Sequence, residues 1–484
     1  MTVMSGKSVA EPQLRHGTLG LPALVFHAVT HIAPATSVVL MLPTIAQQAG
    51  PAMPISLLLS TIVCFCIGST VYEFSRYVPS SGGYYSFATR GLGNRSGFIA
   101  SWSYLIYEVI GASACIGFIS FLISDSLKTE FKVNIPWWSI VLAMSALIWW
   151  LTHHGVQISA RVTALLGTLE LLIMVALGVT FLLHPGKGSS YLAPLNPGAS
   201  PTHSVGILAG MVFSILALSG FESPAPMAQE ARLPSKSIGR AIMLSLVVVG
   251  GFYIFMAYAS AIGWGTGDMA AFAANANPFY VLARSMWGMG WWLVLLAILN
   301  SAIGTGIACT NAASRVMYTM GKAGTLPDIF GRIHPAHLTP TVSIAVAQVG
   351  GIVSILLVGF IFRPEDIFAF LGTIATLAII VLYVMANLAL TPFMRREQRS
   401  NFAIWRHVLI PWIATLVLLP VLFVTVYPTP AWPTNLTPYL FVIALVIGFA
   451  YMQWREWRNP GTLKRGAEMI LRGRVGQAES ESLK

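Results

Sequence analysis

The residues most able to do chemistry in this chain are carboxylates set in apolar surroundings. Leu218-Ser219-Gly220-Phe221-Glu222-Ser223-Pro224 places an acid, a glycine and a proline inside a segment apolar enough to span a bilayer. A charged side chain at that depth costs about 2.5–3.5 kcal/mol on insertion scales, so it marks a functional site. Glu108, in Trp102-Ser103-Tyr104-Leu105-Ile106-Tyr107-Glu108, and Glu170 lie in similar surroundings. Such acids bind a cationic group or a proton. His27 and His31, four apart on one helical face, suit proton relay or gating; two ligands make no metal site. Asn300, Ser301, Thr305 and Thr310 offer oxygen ligands of the kind a sodium ion uses, although small-residue helix packing explains the same enrichment. Glu73 beside Arg76 reads as an interfacial ion pair.

Elements that could hold these groups at membrane depth follow from composition. The 484 residues are 56% hydrophobic and 9% charged, with mean hydropathy +0.73, which places the chain among polytopic membrane proteins. Twelve apolar stretches have spanning length: 24–49, 54–77, 97–125, 136–155, 161–184, 203–231, 238–264, 286–320, 341–361, 366–390, 408–428 and 435–455. The first twenty residues lack a signal-peptide pattern, so the first helix is expected to be retained. Of 28 Lys and Arg, all but Lys128, Lys132, Lys187, Arg284 and Arg363 fall on the side of the termini. The positive-inside rule then makes both termini cytoplasmic, in the plasma or inner membrane. The same asymmetry accounts for the net charge of +11 without nucleic acid; the basic tail fixes topology or touches lipid headgroups. Cys64, Cys66, Cys115 and Cys309 read as small buried hydrophobes, and Trp137, Trp138, Trp149, Trp150, Trp291 and Trp292 as an interfacial belt.

Two of the twelve segments are interrupted, the first by His31-Ile32-Ala33-Pro34-Ala35-Thr36-Ser37 and the sixth by the Glu222 motif. Paired interruptions at corresponding positions of two halves point to a secondary transporter's binding site. Segments one to five and six to ten are then inverted repeats, because five helices per repeat inverts the second copy. Unwound backbone at mid-membrane frees N–H and C=O groups, and half-helix ends present partial charges to a substrate's ammonium and carboxylate.

These residues resemble the amino acid-polyamine-organocation superfamily of permeases. The resemblance rests on Ser219-Gly220-Phe221-Glu222 leading to Gln229-Glu230-Ala231-Arg232-Leu233-Pro234, on Glu73 with Pro79-Ser80-Ser81-Gly82-Gly83-Tyr84-Tyr85, and on Ser159-Ala160-Arg161-Val162. Ala313-Ser314-Arg315-Val316-Met317-Tyr318 with Gly324-Thr325-Leu326-Pro327 completes it. Four motifs in order at matching topological positions are specific where each alone is weak. The first break departs from the glycine-rich form of many amino-acid members: Ala33-Pro34-Ala35-Thr36 is similar to that of certain putrescine permeases and of less characterised bacterial members.

The resemblance implies an all-α membrane protein of 12 transmembrane helices, with a LeuT-like 5+5 inverted-repeat core plus two helices. Residues 1–20 are expected as a cytoplasmic segment and 21–390 as the core, with repeats at about 21–185 and 203–390. Residues 391–456 would hold the last two helices and 457–484 a basic cytoplasmic tail. It implies substrate contact by Ala33, Pro34, Ala35, Thr36, Ser37, Glu108, Ser219, Gly220, Phe221 and Glu222, and ion coupling by Glu170, Glu222, Ser301 and Thr305. Glu170 aligns with a lysine that stands in for sodium in proton-coupled members. Three acids on one cavity would favour a cationic substrate. The expected function is a secondary active transporter of an amino acid or amine working by alternating access, proton-coupled in preference to sodium-coupled. A polyamine or organic-cation importer and an amino acid/amine exchanger are the alternatives, with an intramembrane enzyme or a channel as readings of a different class; oligomeric state is left open. Neither a cofactor nor catalysis is expected: no nucleotide loop is present, and neither His153-His154 nor His27/His31 carries a nucleophile or metal constellation at recognisable spacing.

Overall fold

The computed structural model describes residues 14–275, 277–427 and 430–469; the expected extremes of the amino-terminal segment and basic tail lie outside these. Among the described residues the chain is helical, with one isolated bridge between Leu19 and Ala231. Nine helical stretches among the described residues are long and apolar enough to cross a membrane, the first covering Leu21–Tyr77, and Trp137–His153 and His203–Leu218 are shorter apolar helices. Large apolar side chains such as Leu165, Leu172, Leu183, Phe360 and Leu416 face outward. With the apolar spans, they describe a multi-pass integral membrane protein.

The first apolar segment is two helices, α1 (Leu21–His31) and α2 (Pro34–Ala49). Proline disfavours a helical residue before it, and Ala33 takes φ +56°, the left-handed region, which splits the segment. Then come α3 (Met53–Tyr77), the short α4 (Tyr84–Leu92), the 38-residue α5 (Asn94–Phe131), α6 (Trp137–His153) and α7 (Val156–Leu183).

The sixth segment breaks differently from its expected form. Helix α8 (His203–Leu218) stops at Ser219, the chain turns through Gly220 at φ +110°, and a 3₁₀ turn (Ala225–Glu230), not an α-helix, completes the segment. Three prolines within 224–234 account for the loss of α-helical bonding. Helix α9 (Pro234–Trp264) follows, then the short α10 (Met269–Ala274) and α11 (Pro278–Trp287), α12 (Trp292–Lys322), α13 (Thr341–Ile361), α14 (Ile367–Glu397), α15 (Ile410–Val426) and α16 (Thr437–Arg458).

The broken segments lie at the centre. Helix α2 packs on α8 and α1 on α9, while α5 packs on α14 and α12; α15 and α16 lie at the periphery. Small residues set the closest approaches. A Cβ on Gly167 of α7 would stand 2.7 Å from Thr30, and one on Gly304 of α12 would stand 3.2 Å from it, so α1 is held between two glycine-bearing helices. Trp138, Trp149, Trp150 and Trp292 are exposed as a belt requires, but Trp291 is buried edge-on against Tyr280, because its ring turns inward beside α11.

Candidate functional site

At the first break, the amino-terminal turn of α2 presents backbone N–H groups that a helix does not itself satisfy. Pro34 has no N–H; Ala35 N–H donates to Glu170 Oε2 at 3.4 Å, and Thr36 N–H to Ser301 Oγ at 3.3 Å. A carboxylate at a helix amino terminus is favourably placed against the dipole, which explains Glu170 in the middle of α7. On the other side of the break, the α1 carbonyls are also engaged. Thr305 Oγ1 lies 2.7 Å from Thr30 O and 2.8 Å from Ser301 O, and Ile32 O accepts from Ser37 Oγ at 3.0 Å.

At the second break, Glu222 folds back on its own turn. Its Oε2 accepts from Gly220 N–H at 3.1 Å and from the Tyr383 hydroxyl of α14 at 2.7 Å. Phe221 stacks on Tyr383 with ring centroids 5.6 Å apart. Position 220 admits only glycine on two counts, its positive φ and a Cβ that would stand 2.3 Å from His31 Nδ1. Tyr253 of α9 joins the two breaks, its hydroxyl lying 3.2 Å from Ala217 O and 3.4 Å from Ile32 O.

His31 stands where the breaks meet. Its Nε2 lies 2.8 Å from Glu108 Oε2 and 3.3 Å from Cys309 Sγ, and its ring is 5.8 Å from that of Tyr107. All four residues are buried. Within the same cluster His31 Nδ1, Glu108 Oε1, Glu222 Oε1 and Ser223 Oγ are buried without a hydrogen-bond partner among the described residues. Buried polar atoms left unbonded are costly, so their concentration at one point singles it out.

A cavity of about 370 Å³ runs from the first break along α2, between α8, α5 and α14. Ala33, Thr36, Ser37, Ser219 and Thr305 are on its wall, with His31, Tyr107, Cys309 and Phe368. Pro34, Ala35, Gly220, Phe221 and the carboxylates Glu108, Glu170 and Glu222 are not; Glu108 sits behind His31 and lines a smaller pocket of about 20 Å³ with Thr310 and Gln348. His31, on the wall, thus stands between Glu108 and the cavity. Asn300 is buried with Nδ2 unbonded, and Thr310 receives Gln348 Nε2 at 2.6 Å.

Away from the cavity, past α1, a buried polar network joins α12, α7 and the 3₁₀ turn. Arg315 of α12, wholly buried, reaches Glu230 through Nε at 3.0 Å and Nη2 at 3.1 Å, a bidentate pair. Its Nη1 donates to Asn311 Oδ1 at 2.8 Å, and Asn311 Nδ2 donates to Ser159 Oγ of α7 at 3.2 Å. Thr18 and Leu19 N–H both donate to Glu230 O at 2.8 Å. Glu230, Arg315 and Ser159 are in the motifs of the sequence, but nothing there pairs residues 85 apart. Tyr253 and Tyr383 carry no sequence signal, as each acts through one hydroxyl on an apolar helix. Glu73 meets Arg76 at 3.2 Å as expected, with His407 at 3.8 Å; His27 Nε2 is buried and unbonded.

A family model described as amino acid permease matches residues 24–462. The branched-chain amino acid permease BcaP of Bacillus subtilis (strain 168) is 27% identical over 86% of this chain and 89% of its own length. The glutamate/serine transporter AimA of the same organism is 27% identical over 88% of this chain and 80% of its own. The low-affinity putrescine importer PlaP of Escherichia coli (strain K12) is 23% identical over 67% of this chain and 70% of its own.

Proposed function

Since this chain belongs to the amino acid permease family and is a transporter of an amino acid or amine, we propose that it works by alternating access around the two broken segments, with protons as the coupling ion. The observation that carries this reading is the meeting of both breaks at His31, with Glu108 at 2.8 Å and the Glu222 turn packed against the same ring. A substrate ammonium entering the cavity meets the carbonyl ends of α1 and α8, which carry partial negative charge. Proton occupancy of the His31–Glu108 pair sets the charge it finds there. Glu170, Ser301 and Thr305 support proton rather than sodium coupling. The Thr30 and Ser301 carbonyls face the Thr305 hydroxyl, and the Ser301 hydroxyl is taken by Thr36 N–H.

In this reading the chain has twelve spans, two inverted repeats at about 21–185 and 203–390, and two added helices over 391–456. Both termini are cytoplasmic, as the Lys and Arg distribution supports. The Arg315–Glu230 pair then closes the cytoplasmic path while the 370 Å³ cavity serves the opposite side.

One observation favours a second substrate reading, an amine cation without a carboxylate. The α2 end that would receive a substrate carboxylate has no spare donor in its first turn, since Pro34 lacks one and Glu170 and Ser301 hold the next two. The purified chain in proteoliposomes decides both points. Accumulation of leucine, serine, glutamate or putrescine driven by a pH gradient, and not by a sodium gradient, is the expected result. Failure to concentrate any primary amine under either gradient overturns the proposal.

A further inference from the structure

Four histidines converge on one face of the molecule, away from the cavity. His153 and His154 end α6, and His334 and His337 lie in the loop before α13. Backbone contacts fix the two loops together: Thr339 Oγ1 donates to His153 O at 3.0 Å, and His334 N–H to Thr339 O at 3.0 Å. The rings of His334 and His337 stack at 4.8 Å, and the His153 ring stands 5.6 Å from the first and 5.0 Å from the second. One ring nitrogen from each of His153, His334 and His337 lies within 4.8 Å of the others, and all three residues are half-buried. A tetrahedral ion bonded to nitrogen at about 2.0–2.1 Å needs them roughly 3.4 Å apart, a closure within reach of small side-chain rotations.

We propose that His153, His334 and His337 form a binding site for a divalent transition-metal ion of the zinc type, which ties the turn after α6 to the loop before α13. The donor set is three imidazoles with no carboxylate, which suits zinc, copper, nickel or cobalt and not magnesium or calcium. His153 Nδ1 is buried without a hydrogen bond, so a donor atom is already unclaimed. His334 Nδ1 accepts two long contacts of 3.3 Å from Ala336 and His337 N–H, so ligation through its other nitrogen gives up little. His154 Nδ1 is held by Trp150 O at 2.8 Å, and its ring lies 4.9 Å from that of His337, against the side of the site.

The α6–α7 turn leads directly into the helix that carries Glu170, so the ion would restrain α7 from outside the substrate path. The test uses the full chain, purified on a tag without histidines and titrated with Co²⁺. Visible ligand-field absorption saturating at one ion per chain, and abolished by Zn²⁺, is expected. His153→Ala, His334→Ala and His337→Ala should each weaken binding at least tenfold, and His184→Ala, at an exposed histidine elsewhere, should not. Conservative Gln variants run beside the Ala set guard against misfolding. Absence of ligand-field bands in the parent chain, or binding that none of the three substitutions weakens, overturns the proposal.

Discussion

His31 is the residue at which both breaks meet, since it ends α1, Gly220 lies against the Nδ1 edge of its ring, and its Nε2 meets Glu108. Gly220→Ala adds a methyl 2.3 Å from His31 Nδ1 at a backbone angle that L-residues avoid. Overpacking of this kind costs about 1–3 kcal/mol, so the variant should unfold at lower temperature and lose most uptake, measured on the same preparation. Glu108→Gln removes the charge and keeps the shape. Uptake of a cationic amine should fall at least tenfold, while a neutral amino acid should be spared in comparison; equal loss of both would assign Glu108 to proton coupling alone. At this scale the sequence singled out Glu108, Glu170 and Glu222 because acids at membrane depth are conspicuous, and the structure buries all three beside the two breaks. It could not show that His31 stands between Glu108 and the cavity, since that depends on how α1 and α5 are rotated against each other.

Among elements, the first break was legible because Pro34 dictates it locally: the preceding residue leaves the helix and Ala33 takes φ +56°. Left-handed backbone costs alanine about 1–2 kcal/mol. Ala33→Gly should therefore raise thermal stability slightly, read as an upward melting shift; because Ala33 lines the cavity, half-saturation of uptake measured beside it reports any effect on substrate contact. The second break was legible in position and not in form. Gly220 marks the turn, but the 3₁₀ path from Ala225 to Glu230 depends on a run of prolines and on Glu230 being pinned by Arg315, a long-range contact. Helix α7 shows the same limit. Glu170 was conspicuous as an acid, yet its place at the amino end of α2 follows from packing around Gly167. Glu170→Gln keeps an acceptor for Ala35 N–H and loses the titratable proton. Its expected effect is a changed pH dependence of uptake with little loss of stability.

Across the whole molecule, one buried ion pair, Arg315–Glu230, fastens the core helix α12 to the turn that follows the second break. Removing one partner of such a pair leaves an uncompensated charge, typically destabilising by about 3–5 kcal/mol, whereas replacing both with apolar groups is often neutral. Arg315→Met alone should therefore lower the melting temperature strongly, and Arg315→Met with Glu230→Leu should recover much of it while leaving the closed end leaky to thiol reagents at introduced cysteines. A double variant as unstable as the single would show that Arg315 acts through Asn311 and Ser159 instead.

Glu230 also has a second grip, its carbonyl receiving Thr18 and Leu19 N–H while its carboxylate holds Arg315. Moving that turn away from both neighbours would break both sets of bonds. On the proposed cycle the arrangement is an interlock, with residues 18–19 and the core helix α12 fastened to one turn. An antibody fragment clasping residues 14–19 would therefore stall the cycle from a distance, without occupying the substrate's path.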